Sequence, residues 1–168
     1  MTTDQIKALV ISKANQFGIN SNVALAQIQR ESGFNPNAVG SSGERGLAQF
    51  MPGTWTRFSS ESFDNAFDPE KNLNAWGGYM TYLYTLFGGD YSYMLTGYNG
   101  GEGHLTNPGK YGPPSQAAQN YAQAILSQAN VSGSDIGPIV VEPLGAGEFP
   151  WLLVGSAAAL LLFFALRD

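Results

Sequence analysis

The chain has 168 residues, of which 12% are charged, with a formal net charge of −5 and no cysteine. That length accommodates one domain with a real core plus a short appendage, and the lack of cysteine excludes disulfides, a thiol nucleophile and thiolate metal sites. The acidic balance argues against nucleic acid, whose phosphates call for Lys and Arg, while the many neutral hydrogen-bonding side chains suit a hydroxyl-rich ligand such as a glycan.

The N-terminus lacks the basic region of a signal peptide, and its apolar residues are broken by Lys7, Ser12 and Lys13. Thr3 or Asp4 is expected to cap a first helix with Ile6, Leu9, Val10 and Phe17 inward, ended by Gly18. Asn20, Ser21 and Asn22 offer a cap for a second helix that runs to Glu31. Asn35-Pro36 and Gly40 to Gly43 read as a loop, and Gly46 to Phe50 as extended or irregular backbone. Pro52 and Thr54 lead into a helix with Trp55 and Phe58. Residues 71–87 read as a long helix with Leu73, Trp76, Tyr79, Met80 and Leu83 at core spacing. Tyr91 to Tyr98 is a further helix, 101–114 a Gly/Pro-rich loop, and Ser115 to Ala129 the last helix of the domain. Strand signals are scarce, so the expected fold class is mainly α.

Beyond residue 130 the composition changes. Residues 131–149 carry Pro138, Pro143, Gly145 and Gly147 and read as a linker. Trp151 to Leu166 is a run of sixteen residues without a charge; as a helix it spans roughly 24 Å, against roughly 30 Å of bilayer hydrocarbon. Phe149, Pro150 and the long side chain of Arg167 can make up the difference. The expected organisation is therefore a domain at 1–130, a linker at 131–149 and a C-terminal transmembrane helix at 150–168, with a lipid membrane as partner through Trp151–Leu166.

Glu31 is the leading candidate for chemistry. At helical spacing it shares a face with Ala24 and Ile28, so its carboxyl ends an apolar stripe. Apolar packing disfavours the charged form and raises the pKa, as a glycosidase general acid requires. The plain alternative is a solvated glutamate at a frayed helix end. The stretches Glu31-Ser32-Gly33-Phe34-Asn35-Pro36-Asn37-Ala38, Gly46-Leu47-Ala48-Gln49-Phe50-Met51-Pro52 and Gly97-Tyr98-Asn99-Gly100-Gly101 follow in order. Together they resemble the three signatures of the soluble lytic transglycosylase family, roughly E-S-x-F-x-P-x-A, G-L-M-Q-x-M-P and A-Y-N-x-G, over about residues 5 to 128. Glu44, Ala48 and Gly97 depart from that pattern. Ala117 and Ala118 stand where the family often has a Glu-Thr pair before its last Tyr, here Tyr121.

The resemblance implies a lysozyme-like domain that cleaves peptidoglycan glycan strands. It also implies substrate-assisted chemistry: the N-acetyl group of the cleaved sugar acts as nucleophile. Glu31 serves first as acid and then as base, closing a 1,6-anhydro ring on muramic acid. Ser32 is expected near the acid or the acetamido group, or else simply as a helix cap. Gln49 has an amide that can both donate to and accept from a sugar, and Met51 would be an adaptable apolar wall or plain core. By resemblance, the Tyr98 hydroxyl lies near Glu31, Asn99 holds substrate, and Tyr121 is a second phenol. His104 reads as a loop residue. Asp64, Asn65, Asp68 and Glu70 lack the spacing of a calcium loop, so no metal or cofactor is expected and Asp68 reads as a helix cap. Asp64 matters differently, since a second carboxylate in the cleft could hold a water and give a hydrolytic muramidase instead. A third expectation is a non-catalytic, peptidoglycan-binding virion protein. With no export signal, the expected location is a phage virion with an internal membrane, acting at genome entry beside other virion proteins, or otherwise the bacterial cell envelope.

Overall fold

The computed structural model describes residues 1–133, which form eight α-helices and one 3-10 helix. Helix α1 (Thr3–Gln16) starts one residue earlier than its sequence suggests. Thr2 is the cap: its hydroxyl accepts from the Gln5 N–H, and Gln5 Oε1 accepts from the Thr2 N–H, making a reciprocal capping box. Helix α2 (Ser21–Ser32) is capped by Asn20, whose Oδ1 accepts from the Asn22 and Val23 N–H groups. It stops at Gly33, which is left-handed at φ 61°. Phe34 follows in the same region at φ 64° and is buried, so the chain reverses there and the phenyl ring anchors the turn.

Helix α3 (Pro52–Phe58) begins on a proline, whose missing N–H costs nothing at a helix start. A 3-10 turn at Phe63–Phe67 leads into α4 (Pro69–Leu86), capped by Asp68 through the Lys71 N–H at 3.0 Å. Helix α4 is the centre of the molecule: Leu73, Trp76, Met80 and Leu83 are fully buried, and Gly77 and Gly78 are buried beside them. Gly77 leaves room for the Phe17 ring, which lies 2.0 Å from where a Cβ would stand. Helix α5 (Tyr91–Gly100) is capped by Asp90. The stretch expected to be a plain loop folds as two short helices, α6 (Gly103–Thr106) and α7 (Pro108–Tyr111), each too brief for a periodic signal. Helix α8 (Gln116–Ala129) turns Ala118, Tyr121, Ala122, Ile125 and Ala129 inward and packs across α2 and α5.

The expected fold class needs one correction. The domain is mainly α, but no helix among the described residues is long and apolar enough to cross a membrane, so the fold described is the α domain without a transmembrane helix. The segments expected to be the linker (131–149, past residue 133) and the anchor (150–168), with the membrane contact at Trp151–Leu166, lie outside the described residues.

Candidate active site

The last turn of α2 points Glu31 into a cleft of about 310 Å³, walled on other sides by the 40–54 segment, Tyr79 of α4, and Tyr98 and Asn99 of α5. Helix α8 brings Tyr121 against the acid: its hydroxyl donates a hydrogen bond to Glu31 Oε1. Burial pushes the Glu31 carboxyl from an ordinary 4.5 up to about 7, and the negative charge of Glu44 adds to the rise. The Tyr121 hydrogen bond and the Arg30 charge oppose it without cancelling it. Near neutral pH the group is therefore divided between acid and carboxylate. Burial, reinforced by the charge of Glu31, raises Tyr98 and Tyr121 well above the ordinary phenol range, so both stay protonated donors.

The second wall is irregular backbone held by cross-links. Isolated antiparallel bridges pair Arg45 with Val39 and with Phe50. Gly46 sits at φ 75°, with the Ala66 carbonyl oxygen 1.9 Å from any added Cβ, so only glycine lets the two backbones approach this closely. Asn72, fully buried on α4, fastens the wall from behind: its Oδ1 accepts from the Ala48 N–H at 2.9 Å and its Nδ2 donates to the Ala66 carbonyl at 2.7 Å. The Tyr98 hydroxyl donates to the Ala48 carbonyl at 2.7 Å. Gln49, at φ 50°, donates its Nε2 to the carbonyls of Gly46 and Ala38 at 2.9 and 3.3 Å. Its Oε1 remains in the cleft beside Gly40.

Of the residues singled out from the sequence, Glu31, Gln49, Met51, Tyr98 and Asn99 line one cleft, and Tyr121 buttresses the acid from behind. Met51 is 42% exposed, at the residue preceding α3, so it is wall rather than core. Tyr98 lies close enough to Glu31 for the two to interact electrostatically, but its proton goes to Ala48. Ser32 is not brought to the cleft lining; its hydroxyl donates back to the Ile28 carbonyl at 3.2 Å. Asp64 is also outside the cleft, 90% exposed and paired with Arg45 at 2.7 Å. His104 lies near Gly112 and Tyr111, away from the acid. Among the described residues no cluster of three or more His, Asp or Glu could hold a metal ion.

Two cleft residues escaped the sequence reading. Tyr79 had the spacing of a core residue, yet its ring stacks toward Tyr98 at 5.0 Å and its hydroxyl donates to Glu102 at 3.2 Å. Arg57 closes that set with a 2.8 Å ion pair to Glu102. Glu44 was visible only as a departure from the family pattern. It lines the same cleft as Glu31, and its Oε2 accepts from the Ser42 N–H at 2.9 Å. A carboxylate where the family usually has Ala, just before the second signature, was the available sign.

Comparison with known proteins gives the same grouping. The soluble lytic murein transglycosylase of Escherichia coli K12 is 34% identical over 94 residues, which is 52% of this chain but 15% of that protein. The membrane-bound lytic murein transglycosylase C of Edwardsiella ictaluri is 33% identical over 112 residues, covering 58% of this chain and 31% of the relative. The crystal structure of the 70 kDa soluble lytic transglycosylase from Escherichia coli superposes with a TM-score of 0.65 at 26% identity, over 73% of this chain and 23% of that one. The chain thus spans well under half the length of each of these proteins. The family model for the transglycosylase SLT domain matches residues 8–121, a stretch that contains the cleft and both phenols, and the chain belongs to that family.

Proposed function

We propose that this chain is a peptidoglycan lytic transglycosylase that cleaves the β-1,4 bond between N-acetylmuramic acid and N-acetylglucosamine. The observation that carries the reading is a helix-borne carboxyl, raised to about 7 and hydrogen-bonded to a phenol, in a cleft it shares with Glu44 and neutral polar side chains. Glu31 in its acid form gives its proton to the glycosidic oxygen as that bond breaks. The acetamido oxygen of the muramic sugar takes up the positive charge developing at C1. Glu31, now a carboxylate, removes the proton from the C6 hydroxyl, and O6 closes on C1 to give the 1,6-anhydro product without consuming water. One group performs both transfers, and a pKa near the working pH suits both. Tyr121 holds the acid in place. Gln49 Oε1 accepts from a sugar hydroxyl or amide, Asn99 binds the strand at the cleft mouth, and Met51 supplies an apolar surface. Tyr98 braces the wall through Ala48, and Ser32 serves the end of its own helix.

Glu44 supports a second reading, because two carboxylates in one cleft are the means by which hydrolytic glycosidases activate water. Mass analysis of muropeptides released from purified cell walls separates the two: the anhydro product is lighter by one water. Anhydro ends that disappear in Glu31→Gln support the transglycosylase; only reducing ends support the muramidase. No turnover by the wild-type chain, with wall binding retained, supports a binding protein. The setting we propose is local wall opening by a phage particle during genome entry, an inference from the sequence alone. Detection of the chain in purified particles, rather than only in cell envelopes, tests it.

A further inference from the structure

Behind the acid and its phenol lies a polar group that the proposed chemistry leaves unused. Gln27 stands one turn before Glu31 on α2 and is fully buried. Its Oε1 accepts from the Trp76 indole N–H of α4 at 3.0 Å. An indole nitrogen can only donate, so this bond decides which end of the amide faces which way. The Nε2 has no partner of standard geometry in the resting arrangement, yet it lies close enough to the Tyr121 oxygen to favour that phenol's ionised form. A buried amide is a costly choice for a position that packs among apolar side chains, and here it acts on the phenol that touches Glu31. A phenol carries a single proton. With an amide donor on the other side of its oxygen, that proton is directed to the carboxyl.

We propose that Gln27, set by Trp76, is a positioning residue that holds the Tyr121 hydroxyl as a donor to Glu31 through both halves of the reaction. The proposal rests on the reading of Glu31 as the acid. The contact is not a formed hydrogen bond at rest and tightens as negative charge develops on the Glu31–Tyr121 pair, a behaviour common to catalytic hydrogen bonds in free enzymes. The other groups acting on Glu31 come from three further places: Arg30 on the same helix, Glu44 in the facing segment and Tyr98 on α5. A substitution at Gln27 leaves all three in place.

The test replaces Gln27 with methionine, similar in length and without hydrogen-bonding capacity. Glu31 is titrated by NMR on protein labelled at the glutamate carboxyl carbons, alongside the pH profile of turnover. Loosening Tyr121 removes a contact that lowers the pKa, so Gln27→Met moves the Glu31 titration upward by about half a pH unit. The variant lowers kcat about tenfold with little change in KM. In a Tyr121→Phe background the same substitution produces no further shift. An unchanged titration, or an equal shift in the Tyr121→Phe background, overturns the proposal. If Gln27→Met does not fold, Trp76→Phe keeps an aromatic core residue while removing the donor that sets the amide, and is expected to shift the titration in the same direction; no shift there overturns the proposal equally. The titration needs no turnover, so a wild-type chain that releases no anhydro product defeats the reaction assignment while the positioning claim is still decided.

Discussion

The two sides of the cleft are built from opposite materials. One side is helical: α2 and α8 pack together and carry Glu31, Gln27 and Tyr121 inside an apolar surround. The other, residues 38–51, is irregular backbone tied by Asn72, Tyr98 and a glycine no other residue can replace, and it leaves Glu44, Gln49 and Met51 open to the cleft. On the proposed function, the difference separates two tasks. Shifting a proton equilibrium calls for exclusion of water and fixed dipoles, which packed helices provide. Gripping a polymer calls for unspent hydrogen-bonding atoms facing outward, which a braced loop provides.

The largest effect expected is on the helical side. Glu31→Gln lowers anhydro-product release by about 10³-fold or more, measured by chromatography of muropeptides, with the helical circular dichroism unchanged. The same substitution also reports on stability. The folded pKa of about 7 lies above the ordinary 4.5, so the fold favours the neutral carboxyl. That contribution is fully present below about pH 4.5 and is lost as pH rises through 7, a change of about 2–3 kcal/mol after allowance for partial exposure. Thermal melts should therefore show Glu31→Gln gaining on wild type between pH 4.5 and pH 8, and equal gains at both pH values would mean the carboxyl is not held neutral.

The next effect breaks the loop side. Gly46→Ala places a methyl against the Ala66 carbonyl from a left-handed backbone, and a loss of about 2–4 kcal/mol is expected in urea unfolding. Where the variant still folds, KM should rise more than kcat falls, because the gripping wall is displaced and the acid is not. Tyr121→Phe is smaller. Losing a hydrogen bond that favours the carboxylate lifts Glu31 further above 7 and costs about tenfold in kcat/KM at pH 6, with the alkaline limb of the profile moving to higher pH. The smallest is Glu44→Gln. Removing a negative charge that raises Glu31 moves that limb to lower pH by a few tenths of a unit, so the two substitutions displace one profile in opposite directions.

The helical side was largely legible in the sequence. The apolar spacing of Ala24 and Ile28 put Glu31 on a buried face, and Asn20, Asp68 and Asp90 occupy cap positions that local chemistry announces. The loop side was visible only as motif residues, since nothing in the run Gly46 to Met51 announces that Asn72, 24 residues past Ala48, holds it through the Ala48 N–H. Ser32 was drawn to the cleft by its place in a motif, but its hydroxyl turns back to the Ile28 carbonyl one turn earlier in its own helix. Tyr79 was read as core and is buried in it; that its ring also borders the cleft has no sign in helical spacing and comes only from tertiary packing.

The Arg57–Glu102–Tyr79 set joins α3, the turn after α5 and α4 through an ion pair whose arginine is 45% exposed. Mobile ions weaken such a pair far more than they weaken buried contacts. Ionic strength therefore acts unevenly on this molecule: concentrated salt slackens the strap beneath Tyr79 while the acid and its phenol keep their registry, so amide exchange in residues 101–107 should quicken well before that of α2.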